Sequence, residues 1–334
     1  MKRLVLTYLG CMVVIFGLPV LVAMIPSAQR EGKLSLPTPL LGESILPAQI
    51  NVYFSDEGVT RPIDLEEYVK GVVPAEIPAL FHPEAQKAQA VAARTYAYYK
   101  YLSYENDEAS RSAEHPDAHI CTNPTHCSAY YSPQKLKELH GQQWIEDYLS
   151  KIHGYVDATQ GEILVYDNEP ILAVFHSASA NGATESSADV WGEPLPYLVS
   201  VKSSGEEQKQ NYITSVSVGC SEFASAIKAG FPKASFPKDR SRWIGKTTRT
   251  EGGYVESVVI GGEVIKGTQV RSMFGLYSAC FDISFEGESI VFTVKGAGHG
   301  VGMSQYGANH MAKQGKGYKE ILESYYSGAT VVRY

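Results

Sequence analysis

The sequence has no excess of positive charge. Its 29 Lys and Arg stand against 36 Asp and Glu, a formal net charge of −7, so the general electrostatic attraction that draws proteins to nucleic acid or anionic lipid is missing. No internal repeat and no low-complexity tract is present, which argues against solenoids and propellers. No His-Glu-x-x-His arrangement occurs, and with it goes the usual helical zinc-peptidase motif. Charged residues make up only 19% against 44% hydrophobic, a balance that supports a packed core over disorder.

One long apolar run is present, and it is N-terminal. Lys2 and Arg3 precede Leu4 to Gln29, a stretch without a charged residue that is long enough as a helix to cross a hydrocarbon layer of about 30 Å. Basic residues in front predict a cytoplasmic N-terminus and an exported body. The run exceeds the roughly 7–15 residues of a signal-peptide core, and Pro26 in "IPSAQ" sits badly for cleavage, so a retained anchor over 1–30 is expected. Cys11 reads as a small residue within it. Residues 31–49, "EGKLSLPTPLLGESILPAQ", read as a stalk. The folded region then runs over 50–334, with a β-rich part around 205–295.

The body is expected to be α+β, helices early and antiparallel strands late. "INVYF" has strand composition. In "DLEEYVKGVV", Asp64 and Glu67 are spaced as a capping box opening a short helix that Pro74 should end. Pro83 and Glu84 open a second helix, on which Ala85, Ala88, Ala92 and Tyr96 share one face. "EPILAVFHSASANGATESSADVWGEPLPYLVSVKS" reads as a strand, a small-residue loop, Trp191, and another strand ending at Lys202. Gly219 to Pro232 reads as one helix. "YVESVVIGGEVIKG" and "FDISFEGESIVFTVKG" are hairpins around Gly-Gly and Gly-Glu turns.

Two places point to chemistry. Glu76 lies between two prolines in an apolar run, between the two early helices. A carboxylate there either finds a partner or has its pKa raised. "GAGHGVGMSQYGA" places five glycines around His299, followed by Gln305. That density lets the backbone take positive φ and lets a ligand approach closely.

The motifs "VVPAEIP…FHPEAQKAQAVAARTYA", "FHSASANGATESSADVWG" and "GHGVGMSQYGA", in this order behind an apolar N-terminus, resemble the stage II sporulation protein D family. The resemblance implies a lytic transglycosylase of peptidoglycan that cleaves between N-acetylmuramic acid and N-acetylglucosamine and acts in forespore engulfment. It further implies a membrane-anchored body outside the cytoplasm, and cooperation with a peptidoglycan amidase and a membrane-embedded engulfment protein. The catalytic glutamate falls on Glu76 and a helix arginine on Arg94, which would contact substrate. His299, Gln305 and Lys202 complete the candidate substrate-binding set, although a strand-end lysine is ordinarily solvated. Such a reaction needs one proton donor and no metal, because the attacking hydroxyl belongs to the sugar itself.

"EHPDAHICTNPTHCSAY" carries His115, Cys121 and Cys127 at intervals of six, with His119 and His126 nearby. These are zinc-ligand types. The alternative is a Cys121–Cys127 disulfide, with Cys220 and Cys280 as a second pair. A zinc site raises the rival function of a zinc-dependent cell-wall hydrolase. A wall-binding amidase enhancer without chemistry of its own is the other rival.

Overall fold

The computed structural model describes residues 46–334. The anchor and nearly all of the stalk lie outside the described residues, and no helix among the described ones is long and apolar enough to cross a membrane. Elements come in the order expected, helices early and mostly antiparallel strands late, giving a mixed α+β architecture.

Strands Gln49–Phe54 (β1) and Val59–Asp64 (β2) pair antiparallel, and Ile120–Cys121 (β3) joins β1 in parallel. Helix Leu65–Glu76 (α1) starts where Asp64 accepts the backbone N–H groups of Glu66 and Glu67 at 2.9 and 3.1 Å. The reciprocal half of a capping box is not made, since the Glu67 carboxylate takes Lys70 at 2.9 Å instead.

Pro74 does not end α1, contrary to expectation. It sits in the last turn, where a missing N–H costs one bond, and the helix runs two residues further. The stop is Pro78, which forces the residue before it out of the helical region. Ile77 is accordingly extended, φ −127° and ψ 148°. Glu76 is thus the last helical residue, held on a rigid element instead of in a loop.

Helix Pro83–Asn106 (α2) is capped by His82, whose Nδ1 accepts the Glu84 N–H at 3.2 Å. It is buried on two sides. Ala85, Ala88 and Ala92 pack into a core shared with Ala308, Ala312 and Tyr325, whereas Ala90, Ala93 and Ala97 meet Val69, Val72 and Val73 of α1. Small side chains let both neighbours approach, and they place the helix in the centre of the layer. Glu84 accepts the backbone N–H of Tyr318 at 2.8 Å, satisfying a first-turn donor of the helix Tyr318–Tyr325.

A separate core gathers Phe223, Val258, Ile265, Phe281 and Phe292. Its two three-stranded sheets follow the expected hairpins, Val255–Ile260 with Glu263–Lys266 and Phe281–Glu286 with Ser289–Lys295. Gly261 and Gly262 both have positive φ, +60° and +89°, as the tight Gly-Gly turn requires. The expected helix is Cys220–Gly230.

The strand expected to end at Lys202 does not form. Ser187–Trp191 is a short helix closed by Gly192 in the left-handed region. Pro194 and Pro196 then remove backbone donors, and Lys202 keeps only an isolated bridge to Ala183.

Candidate active site

Phe175–His176 pairs in parallel with Met303–Ser304, which lays the small-residue loop against the glycine-rich segment. Glycines 296, 298, 300 and 302 all have positive φ. A Cβ at Gly298 would lie 2.7 Å from the His176 Cβ, and one at Gly302 would strike the Val174 carbonyl. The glycines therefore serve close approach of two backbones beside a cavity of about 740 Å³.

Glu76 lines that cavity from the end of α1. Its Oε1 accepts the Ala129 N–H at 2.7 Å and its Oε2 accepts Gln305 Nε2 at 3.2 Å. Burial raises its pKa, and the two hydrogen bonds oppose the rise. Gln305 Nε2 also points at Gln89 Oε1, 3.5 Å away, and two acceptors on one side fix which end of its amide faces the acid. Ser304 holds Gln305 in turn. Its hydroxyl caps the helix Gln305–Lys313 at Gly307 N–H and donates to Glu206 at 2.7 Å. Glu206 also accepts the Ser179 N–H and the Ser203 hydroxyl, and burial pushes its carboxyl up to about 7.

His299 lines the cavity between His176 and Trp191, ring centroids 5.7 and 5.5 Å away. Burial, then the Arg271 charge, pushes its pKa down to about 4. His176 falls to about 3, chiefly by burial. His176 Nδ1 faces the Val301 carbonyl at 3.1 Å and must carry the proton, so Nε2 accepts from the Ser179 hydroxyl at 2.8 Å. Both imidazoles are neutral at ordinary pH.

Arg94 does not reach the cavity, which corrects the substrate contact expected of it. Its side chain is 0% exposed and bonds Glu66 through two nitrogens at 2.7 and 2.6 Å, with Nη1 on the Glu162 carbonyl at 3.1 Å. The reason is helical phase. Tyr96 lines the cavity, and a residue two positions away on a helix points about 200° round from it. Lys202 is corrected too: it is exposed, on the bridge to Ala183, and no part of the cavity wall. Gln305 is brought to the site, but at 5% exposure it acts through Glu76 and does not itself offer a substrate contact.

His115, Cys121, His126 and Cys127 place one ligand atom each within 4.8 Å of one another. Cys127 Sγ is 3.5 Å from His115 Nε2 and 3.3 Å from His126 Nδ1, and Cys121 Sγ is 3.4 Å from His126 Nδ1. Bonds of about 2.0 and 2.3 Å in a tetrahedron put neighbouring ligands about 3.5 Å apart, so this donor set fits a metal such as zinc. His115 donates Nδ1–H to the Ala118 carbonyl at 2.9 Å, turning Nε2 inward.

His126 is thus the fourth member, beyond the expected three. His119 is not one: it accepts the Asn51 N–H and faces Glu105 at 3.0 Å. Cys121, Cys127, Cys220 and Cys280 are all free thiols. The expected second pair lies in two different places, Cys220 in the β-sheet core and Cys280 against Tyr254. Within the Cys121–Cys127 pair, the contact between the thiols holds Cys121 low and Cys127 high, so one thiolate is favoured.

His126 and Cys127 also line the cavity, and Ala129, the donor to Glu76, follows two residues on. Metal at this cluster would brace the loop that orients the acid. Chelation, or Cys121→Ser, is expected to lower the melting midpoint by about 5 °C or more, read by thermal unfolding. Metal analysis and thiol titration of the purified protein check the premise: metal-free protein lacking free thiols at Cys121 and Cys127 would favour the disulfide instead.

Arg271 and the Ala129 backbone had no motif to mark them, while Tyr96 and Trp191 stood inside quoted motifs without a site role being assigned to them. Trp191, 46% exposed, departs from the usual core role of tryptophan, and its place at the end of "FHSASANGATESSADVWG" was the signal the sequence offered.

A family model for the stage II sporulation protein SpoIID matches residues 53–166, a span that holds Glu76 and the metal cluster but stops before His299 and Gln305. The stage II sporulation protein D of Bacillus subtilis (strain 168) is 40% identical over 286 residues, 85% of this chain and 79% of that protein. The Bacillus amyloliquefaciens protein of the same name is 40% identical over 303 residues, 90% and 83% of the two chains. The amidase enhancer of Bacillus subtilis (strain 168) is 28% identical over 318 residues, 80% of this chain but 40% of that one.

Proposed function

This chain belongs to the stage II sporulation protein D family, and on that premise we propose that it is a lytic transglycosylase of peptidoglycan with Glu76 as its single catalytic acid. The observation that carries the reading is that Glu76 is the sole carboxylate among the residues lining the cavity. Hydrolysis of a glycosidic bond ordinarily uses two carboxyl groups, the second to activate water or to form a covalent intermediate. A transglycosylase replaces that second group with the C6 hydroxyl of the muramic acid being cleaved, already tethered beside the reacting carbon.

Protonated Glu76 gives its proton to the bridging oxygen as the C1–O4 bond breaks. The resulting carboxylate takes the proton of the C6 hydroxyl as the C1–O6 bond forms, leaving a 1,6-anhydro end and the acid restored. Gln305 Nε2 and the Ala129 N–H supply hydrogen bonds to the carboxylate midway, while the partly dry wall keeps it a competent acid at the start. A metal with four protein ligands has no open position for water and is of the structural type. This donor set therefore does not favour the zinc-hydrolase alternative. We extend the proposal to a body held outside the cytoplasm by the N-terminal segment and working beside a peptidoglycan amidase in engulfment.

The test is the product. The purified protein incubated with peptide-free glycan should yield chains with 1,6-anhydro ends by mass spectrometry. Ordinary reducing ends would indicate hydrolysis and free stem peptides from intact wall an amidase. No release at all would leave a wall-binding module like the named enhancer.

A further inference from the structure

Eight arginines lie among the described residues. Six are ion-paired with a carboxylate, and Arg242 is exposed to solvent. Arg271 differs from both groups. It lines the cavity that holds Glu76, it is partly buried, and no acidic group among the described residues lies within ion-pair distance of it. Its Nε donates to the Leu276 carbonyl at 3.3 Å, which orients the guanidinium plane and leaves the outer nitrogens for something in the cavity. Burial depresses its pKa with no carboxylate to offset the cost, and guanidinium stays charged all the same.

The surroundings narrow what that something is. Thr268 and Ser272, on the same helix Gly267–Phe274, line the cavity beside it. His299 next to it is held neutral and brings no second cation. The hydrogen-bond partners of Glu76 are Ala129 and Gln305, and Arg271 makes no ion pair or hydrogen bond with it, so it is not a partner of the acid. What remains is a planar cation whose Nε–H is taken by the Leu276 carbonyl and whose outer N–H groups have no acceptor among the described residues, in the wall of a sugar-sized cavity and matched in shape to a carboxylate.

We propose that Arg271 is a specificity-determining residue that binds the lactyl carboxylate of N-acetylmuramic acid, a group free to pair when no stem peptide is attached. The proposal rests on the glycan-cleaving function above. Attachment of a stem peptide turns this carboxylate into a neutral amide, which removes the charge and one acceptor oxygen and sets an N–H against a group that only donates. Arg271 thereby selects glycan whose peptides have already been removed, and the preference lies in one ion pair.

The test compares two glycans with the full chain: peptide-free strands, and the same strands with their lactyl carboxylates coupled to methylamine. Cleavage is followed as kcat/KM, and binding of soluble fragments by calorimetry. The unmodified protein should prefer the free carboxylate by about tenfold to a hundredfold in both readouts. Arg271→Gln should bring the ratio close to one by weakening the free-carboxylate substrate alone, with Arg271→Lys between. Equal treatment of the two glycans by the unmodified protein overturns the proposal whether or not the variants fold, as does an unchanged ratio in a folded Arg271→Gln. Carboxylate-dependent binding without any anhydro product would instead keep Arg271 in its role and remove the transglycosylase reading.

Discussion

Glu76→Gln should lower glycan cleavage by about a hundredfold to ten-thousandfold, the range general acid catalysis supplies, while the protein keeps its fold and its affinity for glycan. The amide oxygen can still accept the Ala129 N–H, and Gln305 and Gln89 can rotate their amides together, so that Gln305 presents oxygen where it now presents Nε2 and takes a donor from Gln89. Only the transferable proton is lost. The unmodified protein should lose activity as pH rises through the raised pKa of Glu76, because burial favours the protonated carboxyl and the reaction starts from that form. Initial rates of anhydro-end formation across pH check both statements. A variant that retains most of its activity would remove Glu76 from the chemistry.

Arg94→Ala should destabilise the protein by about 3–5 kcal/mol, since it leaves the Glu66 charge in a mostly buried position with no cation beside it and only the Gly161 N–H, 3.3 Å away, as a donor. The Glu162 carbonyl loses the Arg94 Nη1 donor with it. Arg94→Lys should recover little, because an ammonium cannot make the two-pronged contact. Urea denaturation gives the number. The activity lost by this variant should track its folded fraction, with KM for glycan unchanged in what remains folded. A stable variant with a raised KM would return Arg94 to the substrate.

The different fortunes of Glu76 and Arg94 mark what a sequence makes legible. Local chemistry was readable: Pro83 at a helix start, Gly261–Gly262 in a hairpin, a lone acid in an apolar run. These follow from rules that act within a few residues. The orientation of Arg94 depends instead on what packs on each side of an alanine-rich helix buried all round, which no spacing records. Pro74 looked like a stop because a proline removes a bond, yet its place in the last turn made that loss small, and Pro78 governed through the residue before it. The strand to Lys202 failed because two prolines interrupt an otherwise apolar segment. Trp191 and Arg271 belong to the site only because distant segments converge, and convergence has no local signature; His126 stood beside the expected ligands, and only the fold of its loop shows that it, and not His119, completes the set.

That convergence bears on when the site can exist. Gln305 meets Glu76 across 229 positions of sequence, the His82 N–H meets Asn309 across 227, and Tyr318 meets Glu84 across 234. Contacts of such high sequence separation form late, after the entropy of closing a very long loop has been met. A chain synthesised from its N-terminus presents the acid 229 positions before the amide that steadies it, and the metal cluster likewise well ahead of the glycine segment that walls the cavity. On the proposed function, competence to cleave glycan therefore arrives with the last helices, and a truncation before Gln305 is expected to yield a protein that holds the acid without the geometry to use it.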